Sequence, residues 1–544
     1  MSGVATSVSV ALLAFVALTV SPGAFAASPE LILVNGDVFT ADPERPRAQA
    51  VAIRGERIVA VGSTAAIEKL GDERTRRIDL HGRVVTPGFN DAHFHFSPSP
   101  RGEELRFESN EPTWAETRAA IGEAVQRVRP GTWIFGTVGY GVVLDEQVDR
   151  FALDAIAPNH PVLLRAYYGH GYVANTRALP LLEIADDEPD PAGGYYERVP
   201  GSARINGRYW EYAQWKTGRA LAEAVSDDEA TTALHAMADG AVRFGVTSLQ
   251  VFPSMMPLER FARLAAAASL PVRIRAIAFS PTSVSGRDLS EARALASLEF
   301  PGTNVAVGGI KWIVDGTPIE RGAWMRADYA DRPGWRGRLN FPVADIAAML
   351  DESLTFRQQL LLHCVGDATA AAIFTAMENA NGVDWPAKRV RIEHGDGVID
   401  DLIPRARRLG VVIVQNPTHF AFAELLHQRV SMHYEPLRSL LEAGIPIALG
   451  SDGPMSPGLN VMFASVHPFD PNEAITREQA IVAYTRGSAF AEFAEHEKGT
   501  IAEGQLADVA VLSLDVFAAQ APDLPGMRSV LTIVGGKIVH EEAP

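Results

Sequence analysis

His93 and His95 stand two apart in PGFNDAHFHF. On a β-strand that spacing turns both imidazoles to one face, where they can share a metal ion. The pair alone is weak: with 14 histidines in 544 residues, such spacing arises by chance in roughly one such chain in three. Three further residues supply context. His363 closes the apolar run LLLH, His394 closes RVRIEH, and Asp452 closes PIALGSD. Each stands where an apolar run gives way to a polar, glycine-containing loop, the place from which a parallel barrel presents ligands at its mouth. Lys311 lies within VAVGGIKWIVDG. A lysine in an apolar strand is costly to bury charged, so its pKa falls or it finds a partner. As a neutral amine it can take up carbon dioxide and become a carbamate, an anionic oxygen ligand. The competing reading is a lysine that reaches the mouth and pairs with an acid such as Asp315.

These residues need elements to hold them. Apolar runs at 84–95, 246–252, 273–279, 305–314, 360–363, 390–394, 410–415 and 446–452 alternate with Ala- and Leu-rich helical stretches such as DDEATTALHAMADGAVRF. Eight parallel strands with intervening helices are the pattern of a (β/α)8, TIM-like barrel. Both ends differ. LILVNGDVFT, AVAIRGERIVAVG and RRIDLHGRVVTPGF read as short strands with Asn-Gly, Arg-Gly and His-Gly turns, a small antiparallel sheet, and ADVAVLSLD and SVLTIVGGKIVHE repeat the texture. The expectation is an α/β chain with one β-sandwich domain built from both termini, 27–83 and 496–544, around a barrel at 84–495. A stretch at about 97–224 interrupts the barrel rhythm and holds 8 of the 11 tyrosines and 4 of the 8 tryptophans. It is expected to be an inserted cap subdomain, its aromatics facing substrate, forming its own core, or both.

Composition narrows the function classes. The chain is 47% hydrophobic and 21% charged, with 49 basic against 66 acidic residues and a net charge of −17. This suits a folded enzyme and argues against nucleic acid or an anionic membrane surface as partner. Residues 1–26 carry no charged side chain, an apolar run and a terminal Ala-Phe-Ala, the form of a cleavable signal peptide. Export to the periplasm or medium, with no stable membrane association after cleavage, is expected. Cys364 is the one cysteine, so no intrachain disulfide forms; it reads as a core residue.

PGFNDAHFH, PVLLRAYYGHGYVANTRAL, DPAGGYYER, GGIKWIVDG, HCVGDATA, RIEHGD, IALGSDGP and GTIAEGQLADVAVL together resemble the amidohydrolase superfamily, in its amidohydrolase-3 branch of YtcJ-like and N-substituted formamide deformylase-like proteins. The resemblance implies two divalent metal ions, zinc by default with Mn, Fe, Co or Ni as alternatives. His93 and His95 would bind the more buried ion, His363 and His394 the second, with Lys311 as bridging carbamate. Asp452 would bind the first metal and serve as catalytic general acid/base, working with a hydroxide that bridges the metals. His170, His419 and Tyr329 are the substrate-contact expectations, and Asp367 is expected to cap the helix after His363. The implied partner is a small-molecule amide with an N-acyl, N-formyl or cyclic C–N bond; a homo-oligomer stays open. The alternatives are a deaminase, an ester or lactone hydrolase on the same barrel, or a non-catalytic metal-binding homologue. Gly453 stands where the branch commonly has an aromatic residue, and the segment after Lys311 keeps Tyr329 but loses the usual Thr and Pro.

Overall fold

The computed structural model describes residues 28–109, 111–431 and 434–542; the expected signal peptide lies outside them. Eight parallel strands form one sheet in chain order: β1 (Phe89–His95), β2 (Val246–Phe252), β3 (Arg273–Ala278), β4 (Val305–Ile313), β5 (Leu360–Cys364), β6 (Arg391–His394), β7 (Val412–Gln415) and β8 (Ile447–Leu449). The first and last strands meet at the mouth, where Asp452 N donates to His93 O at 2.9 Å. The fold is a TIM-like barrel with extra domains.

The helices follow from local chemistry. Asp227–Arg243 starts with a capping box, in which Ser226 and Glu229 satisfy each other's backbone N–H. Three acids sit in its first turn and Arg243 in its last, complementing the helix dipole. Its stripe of Ala230, Leu234, Ala238 and Ala241 is buried at helical spacing against the sheet. Inside the barrel the lower layer is polar. Arg391 is fully buried and donates to Glu393 Oε1 at 2.7 Å, Ala92 O at 2.7 Å and the Gln250 amide.

The run expected as the first barrel strand, 84–95, divides at Gly88. Val84–Pro87 belongs to a terminal sheet and pairs antiparallel with Val509–Leu512, whereas β1 begins at Phe89. A Cβ on Gly88 would stand 2.2 Å from the Thr247 side chain, so only glycine lets the chain pass β2 at this crossing. The ends form two mixed sheets rather than the expected antiparallel one. Leu31–Val34 pairs parallel with Arg76–Asp79, and Asp37–Phe39 pairs parallel with Val84–Pro87. Arg54-Gly55 does close a hairpin. Asn35 (φ +56°) and His81 (φ +50°) instead carry the chain from one sheet to the other. Leu33, Val51 and Ile53 from one end and Val509, Val511 and Ile533 from the other share a core.

Between β1 and β2 lies a six-stranded sheet, whose strands include Val162–Ala166, Gly171–Ala174 and Ile205–Glu211. Tyr172, Tyr196 and Tyr209 pack in its own core, while Tyr195 and Trp210 line a cavity against the barrel. The aromatics divide between the sheet's own core and a cavity wall.

Candidate metal centre

His93 and His95 leave β1 on one face, with Nε2 atoms 3.2 Å apart. Asp452 Oδ1 lies 3.5 Å from the first and 3.3 Å from the second. Both rings are oriented from behind. His93 Nδ1 donates to Glu393 Oε2 at 2.7 Å, and His95 Nδ1 bonds the Ser254 hydroxyl, so each Nε2 lone pair is aimed at the shared point. Glu393 is fixed in turn: burial opposes its charge, but Arg391 and His93 hold its pKa well below the usual carboxylate range.

Lys311, 1% exposed, sits on β4 with Nζ 3.3 Å from His93 Nε2 and 4.2 Å above the Phe252 ring centre. Burial brings its pKa down to about 8, with Arg391 adding to the fall against Glu393 and Asp452. Asp315 is not its partner. That carboxylate accepts from Val365 N, Gly366 N, Trp324 N and the Thr369 hydroxyl.

His363 and His394 meet with ring centres 4.4 Å apart. His394 Nδ1 donates to Asn416 Oδ1 at 2.9 Å, while His363 Nε2 lies 3.4 Å from Gly316 O. Burial drives both imidazoles well below their ordinary pKa, and it takes His93 down to about 4. Neutral imidazole is the metal-ligating form. Asp452 answers them: burial would raise it, but the imidazoles around it, His93 foremost with His419 and His95, hold its pKa well below the usual carboxylate range. His419 Nε2 stands 3.5 Å from Asp452 Oδ2. His394, His419 and Asp452 make a second group whose ligand atoms all lie within 4.8 Å of one another, as do His93, His95 and Asp452. Imidazole nitrogens and an ionised carboxylate converging this way fit divalent metal.

His170 enters from the cap. Its Nδ1 donates to Glu211 Oε1 at 2.9 Å, and Asn340 Nδ2 holds the other Glu211 oxygen at 2.9 Å. Burial opposes its charge, yet Glu211 raises the imidazole to about 9. Its ring centre is 5.1 Å from that of His363.

The structure thus gathers His93, His95, Lys311, His363, His394, Asp452, His419 and His170 at one mouth. Tyr329 is not among them. It is 1% exposed, packs in a core with Val365, Phe420 and Tyr434, and spends its hydroxyl on Ala323 O at 2.9 Å; an aromatic body of that size fills the loop's own core. Asp367 is the first residue of its helix rather than the cap, and its Oδ1 accepts from Arg326 N at 2.8 Å. Cys364 is fully buried. Glu393, Ser254, Glu211 and Asn340 were not anticipated. Glu393 left a trace, since Arg391 and Glu393 are charges two apart within a short apolar strand. The other three act across distant parts of the chain and leave none.

Residues 76–540 match the Amidohydrolase family. Among characterised relatives, the N-substituted formamide deformylase of Arthrobacter pascens is 26% identical over 94% of this chain and 98% of its own. Protein LONG AFTER FAR-RED 3 of Arabidopsis thaliana is 27% identical over 94% and 91%. A metal-dependent hydrolase of uncharacterised function from Pyrococcus horikoshii shares the fold, with a TM-score of 0.68 at 19% identity over 90% of this chain and 99% of that one. A family match spanning most of the sequence, over a barrel of this geometry, makes the chain a member of the Amidohydrolase family.

Proposed function

We propose that this protein is an exported metal-dependent hydrolase that cleaves the C–N bond of a small-molecule amide, an N-acyl, N-formyl or cyclic one. The observation that carries the reading is the convergence of His93, His95 and Asp452 at 3.2–3.5 Å beside a buried lysine. His93, His95 and Asp452 would hold one divalent ion, His363 and His394 a second, and Lys311 as its carbamate would lie between them. When bound, such ions polarise an amide carbonyl and activate water near neutral pH. The relative that removes formyl groups from N-substituted formamides supports this bond class.

The chain's own groups do the rest. Asp452, held ionised, accepts the proton of the attacking water at a carboxylate oxygen and returns it to the departing nitrogen, so that an amine leaves rather than an amide anion. His419, beside Asp452 Oδ2, steadies that carboxylate and offers a donor to substrate. His170, fixed through Nδ1 by Glu211, is left with its other ring N–H to donate. The residues preceding the described chain support export.

The test is elemental analysis of protein purified without chelator, together with turnover of an amide panel by wild type and Asp452→Ala. About two ions per chain and loss of turnover in a variant that keeps much of its metal are expected. Full activity in Asp452→Ala would sink the mechanism, and a single ion per chain would remove the bridging role of Lys311.

A further inference from the structure

Between the cap and the barrel mouth lies a cavity of about 850 Å3. Its buried end includes Gly316 and Glu211. Gly316 O is 3.4 Å from His363 Nε2, and Glu211 carries His170, so this end abuts the metal centre. Its open end includes Arg332 and Arg338, both exposed.

The charges along the lining are matched almost throughout. Glu197 accepts from Arg208 Nε at 2.9 Å and Trp210 Nε1 at 2.7 Å. Asp331 pairs with Arg321 at 2.7 Å, and Arg198 with Asp190 at 2.9 Å. Asp149 caps the helix Arg150–Ile156. Glu211 is bound by His170 and Asn340, and Glu320 by the Thr317 N–H and hydroxyl. Glu146, exposed at the rim, is the acid left over.

Arg332 and Arg338 have no carboxylate partner among the described residues. Each lies against a ring instead: Arg338 is 3.9 Å from the centre of Tyr195 and Arg332 is 4.9 Å from that of Trp335. A guanidinium held over an aromatic face keeps its plane and presents its N–H fork edgewise, the geometry that meets a planar anion with two parallel bonds. Tyr195 is stacked on Trp210 at 6.4 Å, so the wall between the two ends is flat and aromatic.

We propose that this cavity receives the remote part of the substrate, and that the substrate is an amide with a flat body and a carboxylate at the end away from the scissile bond, bound by Arg332 and Arg338. The inference rests on the hydrolase reading above and names its substrate class.

The test uses 4-formamidobenzoate and its neutral counterpart 4-formamidobenzamide. Binding is measured by calorimetry on metal-loaded Asp452→Asn protein, alone and combined with Arg332→Ala, Arg338→Ala or both. Turnover of the same pair is followed in the Asp452 background. The arginines are exposed, and unchanged thermal melts will verify that the variants fold. The carboxylate is expected to bind roughly ten-fold or more tightly than the carboxamide, as a charge-assisted pair implies. Each single variant should lose part of that preference and the double variant nearly all, with carboxamide affinity unchanged. Equal binding of the two probes, no binding of the carboxylate, or a preference that survives the double variant would overturn the proposal. Hydrolysis of neither probe by wild type would count against the amide-hydrolase reading alone, because the binding comparison decides the cavity independently.

Discussion

At the scale of single residues, the centre depends on groups that do not touch substrate. Glu393 is the clearest. It fixes the tautomer of His93 through a 2.7 Å hydrogen bond and is itself gripped by Arg391 in a fully buried pair. Glu393→Gln keeps the volume and can still accept from one neighbour, but it loses the charge that would make His93 Nε2 a better donor to the proposed metal. Metal affinity should fall by about 10- to 100-fold, read by competition with a chromogenic chelator on the folded variant; the neutral amide also leaves the buried Arg391 charge unbalanced, so a lower melting temperature accompanies it. Unchanged affinity would mean that His93 is oriented by packing alone. Glu393→Ala removes the hydrogen-bond acceptor along with the charge, and the full loss of about 3–5 kcal/mol of stability is expected.

At the scale of elements, the mouth requires two chain segments to pass closer than side chains allow. A Cβ on Gly450 would stand 2.4 Å from His93 Cβ and 2.5 Å from His93 N. Neither atom can yield without moving β1. Gly450→Ala should therefore cost about 1–3 kcal/mol in urea unfolding and lower the metal content as purified. Gly453→Ala is the control, since its Cβ would meet only Ser451 O at 3.5 Å, and both quantities should hold. Equal behaviour of the two variants would contradict the close-approach argument. The same contrast explains what could be read from the amino-acid order. His93, His95, His363, His394 and Asp452 were legible because a strand end is marked twice, by the stop of an apolar run and by the polar loop after it. Lys311 was legible as a charge out of place. The division at Gly88 was not, because Val84–Pro87 and Phe89–His95 are equally apolar and only Thr247, far along the chain, distinguishes them. Nor were the sheet changes at Asn35 and His81, where a turn sequence that suits a hairpin serves a crossing. Tyr329 misled because a kept aromatic looks the same whether it faces substrate or fills a loop. The Glu211–His170 pair needed the cap's own register, in which Gly171 lies opposite Trp210.

At the scale of the whole molecule, the terminal sheets and the barrel are joined by charge as well as by apolar packing. Arg273, at the start of β3, donates to Asp508 from Nε at 2.8 Å and Nη2 at 3.2 Å, and Asp508 also accepts from Gly535 N at 2.7 Å. The carboxylate side chain is 4% exposed and the guanidinium 18%. Nearby, the Thr532 hydroxyl reaches from the last sheet to Val242 O at 2.6 Å. Removing the arginine leaves a nearly buried carboxylate with one donor, so Arg273→Ala should destabilise by about 3 kcal/mol, the lower end of the range for a broken buried pair because water still reaches the site. Adding Asp508→Asn removes the stranded charge and should restore much of the loss, a coupling that a double-mutant cycle measures directly. The metal centre lies at the opposite end of the strands, so metal content per folded chain should be unaffected in every member of the cycle. If the single variants lose metal in step with stability, the terminal sheets support the mouth as well as the barrel floor. If the cycle shows no coupling, the bidentate pair contributes nothing beyond its exposed equivalents, and the two parts are held together by their apolar contacts alone.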